Sequence, residues 1–217
     1  MEWALLGILI FGLLVAYTVW QGARGQLKYR QEVQAGNLEV IKEVVETEME
    51  RWRTQRPPRG VPPSVWHGVR TMEVASLGAD HVHVRCNAEG QYRMAEGRWQ
   101  EVSAPLQEGM AIAAKGMEML LYDVPHFQPQ RVRMDVYTTF RDTSGSVSRG
   151  CILSCSAGRE EARQVDWDNM APPEIIDDLG GRYRLSQQGA AVPIDVDNGG
   201  QGEEWQVPPR LFKDGGT

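Results

Sequence analysis

The longest apolar run in the chain stands at its start. Residues 3–20 read WALLGILIFGLLVAYTVW and contain no charged side chain. A helix of this length would be roughly 27 Å long, close to the ~30 Å hydrocarbon core of a bilayer. Trp3, Tyr17 and Trp20 stand at its ends, and aromatic rings of this kind favour the membrane interfaces. The pattern predicts a transmembrane anchor over residues 1–23.

The flanks of this run decide between an anchor and a cleaved signal peptide. A signal peptide has basic residues before its apolar core and small residues at a cleavage site after it. Only Met1 and Glu2 precede the core, so an uncleaved single span is favoured. Arg24, Lys28 and Arg30 follow it, and positive charge favours the cytoplasmic side. We therefore expect a cell-membrane protein with its N-terminus outside and its domain in the cytoplasm.

A second helical pattern precedes a proline-rich stretch. Apolar residues recur every three or four positions through Leu38, Ile41, Val45, Met49 and Trp52, which is typical of an amphipathic helix. We predict a juxtamembrane helix over residues 24–54, which either packs on its own domain or pairs with a second copy. Residues 55–65 contain four prolines and are predicted to form a semi-rigid spacer.

The centre of the chain alternates between strand and helix patterns. Period-two alternation interrupted by turn residues predicts strands over 72–77, 81–86, 91–94, 98–102, 131–141 and 147–157. Helical spacing predicts a long helix over 105–122 and short helices over 159–164 and 172–179. Because the connections within strand groups are short, we expect an antiparallel sheet of about six strands. The predicted domain, residues 66–185, is α+β with the order ββββ-α-ββ-α and helices on one face.

The last segment differs in composition from the rest. Residues 186–217 are rich in Gly, Gln, Asp and Pro and lack apolar periodicity, which predicts a mostly disordered acidic tail. Trp205, Leu211 and Phe212 are large apolar residues within it, which either fold back on the domain or are candidates for binding a partner. The chain has a net charge of −6, with no basic segment large enough to favour nucleic acid.

The pattern that most resembles a metal-binding site consists of histidines and cysteines. His81 and His83 would point to one side of a strand, but Cys86 would point to the other side. A tetrahedral site needs a fourth ligand, so solvated histidines and a buried thiol are the favoured interpretation. We expect no metal and no cofactor. Cys151 and Cys155 complete an odd, low cysteine count that indicates a reducing compartment.

The polar side of the predicted strand 131–141 carries the best candidates for recognition. Arg131, Arg133 and Arg141 share that side and are suited to an anion or an acidic partner. Asp135 stands in the same row, which favours an internal ion pair.

The sequence is compatible with three functions. The absence of a phosphate-binding glycine loop, a serine elbow or an HExxH motif favours a membrane-anchored scaffold or adaptor that binds a protein partner or a second copy of itself. The alternatives are a membrane-tethered, hydrolase-like enzyme and a ligand-sensing domain. Either would use a site built from His81, His83, Asp135 and Arg133.

Overall fold

The computed structural model describes residues 17, 29–95, 97–141 and 144–196. Its elements in chain order are α1 (Leu38–Thr54), α2 (Pro63–Arg70), β1 (Glu73–Leu77), β2 (His81–Asn87), β3 (Gln91–Ala95), β4 (Arg98–Ser103), α3 (Pro105–Tyr122), β5 (Arg131–Arg141), β6 (Val147–Gly158), α4 (Arg159–Ala162), α5 (Pro172–Asp178) and β7 (Arg182–Tyr183). The domain is α+β, and the predicted bounds of α3 and β5 agree with the structure.

The strands form one large sheet and one separate hairpin. The described part of the large sheet has five strands in the order β1-β2-β5-β6-β7, and β3 pairs only with β4. Strand β2 runs parallel to β5, whereas β1–β2, β5–β6 and β6–β7 are antiparallel. The sheet is therefore mixed.

The predicted antiparallel sheet of six strands is wrong in two respects. Strand β2 has two edges, and β1 and β5 occupy them, so β3 has no edge of β2 on which to pair. Parallel strands need a crossover connection, and residues 88–130 provide it with the β3–β4 hairpin and α3. The hairpin lies outside the sheet as a part of this crossover.

Helix α3 packs directly on the sheet because two of its positions are glycine. A Cβ on Gly109 would lie 3.1 Å from Cγ1 of Val136, and a Cβ on Gly116 would lie 2.5 Å from Cε of Met134. Both sheet residues have no exposed surface, and they belong to one core that also includes Ile41 and Trp66 from the helices. The helices therefore share the core with one face of the sheet.

The N-terminal helices are separated by caps and a proline stretch. Asn37 caps α1 by accepting a hydrogen bond from the backbone N–H of Glu39, so the predicted helix over 24–54 is interrupted there. Helix α2 begins at Pro63, inside the predicted spacer, since proline is tolerated in the first turn of a helix. The indole Nε1 of Trp66 donates to the carbonyl of Gln55 at 3.1 Å and joins α2 to the end of α1.

The predicted membrane-spanning helix is also corrected. Across the residues that the structure describes, none of the helices is both long enough and apolar enough to cross a bilayer. The run assigned to the span, residues 3–20, lies outside the described residues except for Tyr17.

The close approach of α2 to α3 is testable at Gly68. A Cβ at this position would overlap the side chain of Ile112, which has 1% exposed surface. Gly68→Ala should lower the free energy of unfolding by about 1–3 kcal/mol through overpacking, although alanine gains about 1 kcal/mol of helix propensity. Urea denaturation measures the change. His67→Ala, at an exposed position of the same helix, is the control, and an equally stable Gly68→Ala protein would contradict the packing described here.

Candidate functional site

The two faces of the large sheet differ sharply in chemistry. Val84, Met134 and Val136 point toward the helices and have no exposed surface. Because side chains alternate along a strand, their neighbours point to the opposite side. We call this second side the polar face, and its principal residues are His81, His83, Arg85, Arg131, Arg133, Asp135, Tyr137, Arg149, Ser154 and Arg182.

Asp135 lies at the centre of the polar face and is only 1% exposed. Its Oδ1 accepts hydrogen bonds from Nε of Arg133 at 2.9 Å and from Oγ of Ser154 at 2.7 Å. Its Oδ2 lies 2.8 Å from Nε2 of His83. One carboxylate thus joins side chains from three adjacent strands.

The strand register brings these groups together. In the parallel pair, His83 lies opposite Arg133, and Arg85 lies opposite Asp135. In the antiparallel pair, Asp135 lies opposite Ser154. The register of β6 then shifts by one residue beside Val136 and Tyr137, and Cys151 becomes the partner of Tyr137. The regular one-to-one pairing of β5 with β6 is therefore interrupted between Val136 and Tyr137, close to Asp135.

The surroundings of Asp135 favour its ionised form. Burial raises the pKa of this carboxyl, but hydrogen bonds from His83, Ser154 and Arg133 and the charge of Arg133 outweigh that effect, so the pKa lies below its ordinary value. A carboxylate can only accept hydrogen bonds, so Nε2 of His83 carries the hydrogen of its contact. At neutral pH the cluster therefore contains a buried negative charge directly bonded to a positive one.

The order of contacts argues against serine nucleophilic catalysis in this cluster. A serine activated by histidine donates its hydroxyl hydrogen to the imidazole, and the carboxylate orients the histidine from the other side. Here Asp135 stands between Ser154 and His83, and the serine hydroxyl donates to the carboxylate. The arrangement fixes charges in place, which suits electrostatic recognition.

The other predicted metal candidates do not meet at one point. Nδ1 of His81 lies 2.9 Å from Asp80 at an exposed end of β2, and this contact lowers the pKa of Asp80. Cys86 points into the core, where burial raises the pKa of its thiol far above the ordinary value. Among the described residues, no group of three His, Cys, Asp or Glu side chains is arranged to hold a metal ion.

The remaining cysteines are buried thiols on β6. Burial raises the pKa of Cys151 to about 11 and that of Cys155 to about 12. Both therefore stay protonated at neutral pH, whereas a thiolate is the reactive form. The two side chains also belong to different faces, since Cys151 lies opposite Tyr137 and Cys155 lies opposite Met134.

The predicted partner-binding residues fall into two groups. Arg131 and Arg141 are exposed at the two ends of β5, on the same face as Arg133. Trp205, Leu211 and Phe212 lie outside the described residues, so their role stays a prediction.

Several residues of the polar face were missed by the sequence analysis. Arg85 follows His83 at the period-two spacing of β2, so its place on this face was readable from the alternation. The contributions of β6 were not readable, because they depend on the register. Arg149 is one of these, and its guanidinium lies 4.5 Å from the centroid of the Tyr137 ring.

Comparison with known proteins does not identify a family for this chain. The chain matches no protein-family model, no curated protein and no solved structure.

The buried cluster makes a prediction about stability and pH. Asp135→Asn removes the carboxylate and leaves the guanidinium of Arg133 buried without it, so unfolding at pH 7 should become easier by about 3–5 kcal/mol. The ordinary pKa of an aspartate is about 3.9 and the folded-state pKa is lower, so the charge stabilises the wild type above about pH 3.9. This advantage is lost as pH falls through the folded-state pKa.

Urea denaturation at pH 7 and pH 3 measures both effects. The difference between the wild type and Asp135→Asn should shrink at the lower pH. Asp168→Asn changes an exposed carboxylate and serves as the control. A loss below about 1 kcal/mol at pH 7 would contradict a buried ion pair at Asp135.

Proposed function

We propose that this domain is a protein-binding module whose polar face recognises an acidic segment of a partner protein. The strongest support for the proposal is that arginines outnumber carboxylates on that face, where they stand around one buried carboxylate. An acidic peptide has both the charge and the oxygen acceptors that guanidinium groups bind.

The charge of the polar face is opposite to that of the whole chain. The described strands place six arginines on this face, with two carboxylates among them, Asp135 and Glu73. The chain as a whole has a net charge of −6. Local positive charge on an acidic protein steers an acidic partner to one surface and orients it there.

The arginines are distributed along the strands and not gathered at one point. Arg131 and Arg141 stand at opposite ends of β5, which has 11 residues. At about 3.3 Å per residue, they are separated by roughly 33 Å. This length suits an extended peptide of about ten residues better than a single small anion.

Asp135 fixes the position of a neighbouring side chain on this surface. Arg133 is 7% exposed and its Nε is bonded to the carboxylate, so its side chain is held in one position. Rotamer-rich side chains that are already ordered lose less entropy when a partner binds. The exposed arginines, such as Arg131 and Arg149, then supply the contacts that form on binding.

Charge reversal on the polar face tests this proposal. The double variant Arg131→Glu, Arg149→Glu should weaken binding of a fluorescein-labelled 12-residue Glu/Ser peptide by at least about tenfold at low salt, because both changes place like charges opposite the peptide. Fluorescence anisotropy with the full chain measures the affinity.

The control makes the same change of net charge elsewhere. Arg56→Glu, Arg59→Glu lies in the exposed proline-rich stretch and should leave the affinity within about twofold of the wild type. Equal weakening by both double variants would contradict recognition by the polar face. Tighter binding of an oligonucleotide of the same charge would overturn the choice of an acidic peptide.

A further inference from the structure

A second site lies where α2 and α3 meet one end of the large sheet. It is a cleft of about 450 Å³, a size suited to a small molecule. Its wall is built from α2, the turn between β2 and β3, the first half of α3 and the β5–β6 strands. Gly68 lines the cleft and allows α2 to approach Ile112 of α3 closely.

The chemistry of the cleft is concentrated at Glu108. This side chain lines the cleft and is only 8% exposed. Its Oε1 accepts a hydrogen bond from Nε2 of Gln91 at 2.6 Å. Its Oε2 is buried and has no hydrogen-bond partner among the residues that the structure describes.

A buried carboxylate oxygen without a partner is costly to the fold. Leaving a charged acceptor unsatisfied costs more than leaving a neutral one unsatisfied. Such a group in a native structure needs an explanation, and a ligand that donates to it is one. Glu108 lies in a cleft large enough to admit that ligand.

The neighbouring groups narrow the chemical class. A primary ammonium carries three N–H donors and no acceptor. The cleft is lined by Glu108, Thr138 and Gln91, which carry oxygen acceptors, and the nitrogen of Gln91 is already engaged with Glu108. Arg149 also borders the cleft, and its guanidinium lies over the ring of Tyr137. Ile112 adds an apolar wall beside them, which suits an alkyl chain. A divalent metal ion fits less well, since no described group of three His, Cys, Asp or Glu side chains is arranged to bind one.

We infer that this cleft binds a small primary amine, with its ammonium group on Glu108 and its alkyl chain against Ile112. Its anchoring residue, Glu108, lies outside the acidic-peptide surface proposed above, and the two sites adjoin at Arg149. The ligand of the cleft is positively charged, whereas the ligand of the polar face is negatively charged.

Ligand-observed NMR tests the inference with a pair of probes that differ only in the polar group. Saturation transfer from the full chain to n-butylamine should exceed transfer to 1-butanol at the same concentration. Glu108→Gln keeps an acceptor for Gln91 but removes the charge, and should weaken butylamine binding by about tenfold or more. Glu118→Gln, on the same helix and paired with Lys115, should bind butylamine like the wild type.

Three results would overturn the inference. They are equal transfer to butylamine and butanol, unchanged affinity in Glu108→Gln, and equal losses in both variants. If Glu108→Gln fails to fold, the comparison of the two probes with the wild type still decides the question. The peptide affinity of Glu108→Gln, measured in parallel, should stay at the wild-type value and keep the two sites distinct.

Discussion

The bond between the buried carboxylate of Asp135 and the guanidinium of Arg133 is the interaction on which the polar face depends. Both groups lie almost wholly out of solvent, at 1% and 7% exposure. Removing two charges from water is expensive, and their attraction offsets that cost only when the geometry is good and the remaining lone pairs are satisfied. His83 and Ser154 add hydrogen bonds to the carboxylate, so both oxygens of Asp135 have partners. Such a cluster specifies one arrangement of side chains more than it adds stability.

The parallel pairing of β2 with β5 makes that cluster possible. His83 and Asp135 are separated by 52 positions in the chain, yet their side chains are in hydrogen-bond contact. The crossover through α3 returns the chain to the free edge of β2, and the register then places His83 beside Arg133. The glycines of α3 allow that helix to lie close to the sheet. The same crossover therefore places α3 against one face of the sheet and brings the polar side chains together on the other.

Local patterns in the sequence predicted much of this fold. The spacing of Leu106, Met110, Ala113 and Met117 defined α3, and strict alternation defined β5. The same alternation placed Arg133 and Asp135 on one face. It could not distinguish a parallel from an antiparallel neighbour, because both present side chains with the same period of two. The antiparallel sheet was therefore the wrong choice, and the contact of Ser154 with Asp135 stayed hidden. Helix α2 was missed because Pro62 and Pro63 favoured a spacer, although proline also suits a helix start.

The two proposed sites recognise ligands of opposite charge. The polar face presents arginines to an acidic chain, and the cleft beside α2 and α3 holds a carboxylate for a cation. Both contain a buried carboxylate, Asp135 or Glu108, that is hydrogen-bonded to groups from neighbouring elements. Arg149 connects them, since it borders the cleft and also stacks on Tyr137 of the polar face.

Mapping an acidic peptide onto the chain by ¹H–¹⁵N NMR would show whether the polar face is the recognition surface. The largest shift changes should fall on β2, β5 and β6, around His83, Arg133 and Ser154, while the amides of α1 stay unchanged. Shifts concentrated in the helices, or none at saturating peptide, would contradict an electrostatic recognition surface organised by Asp135.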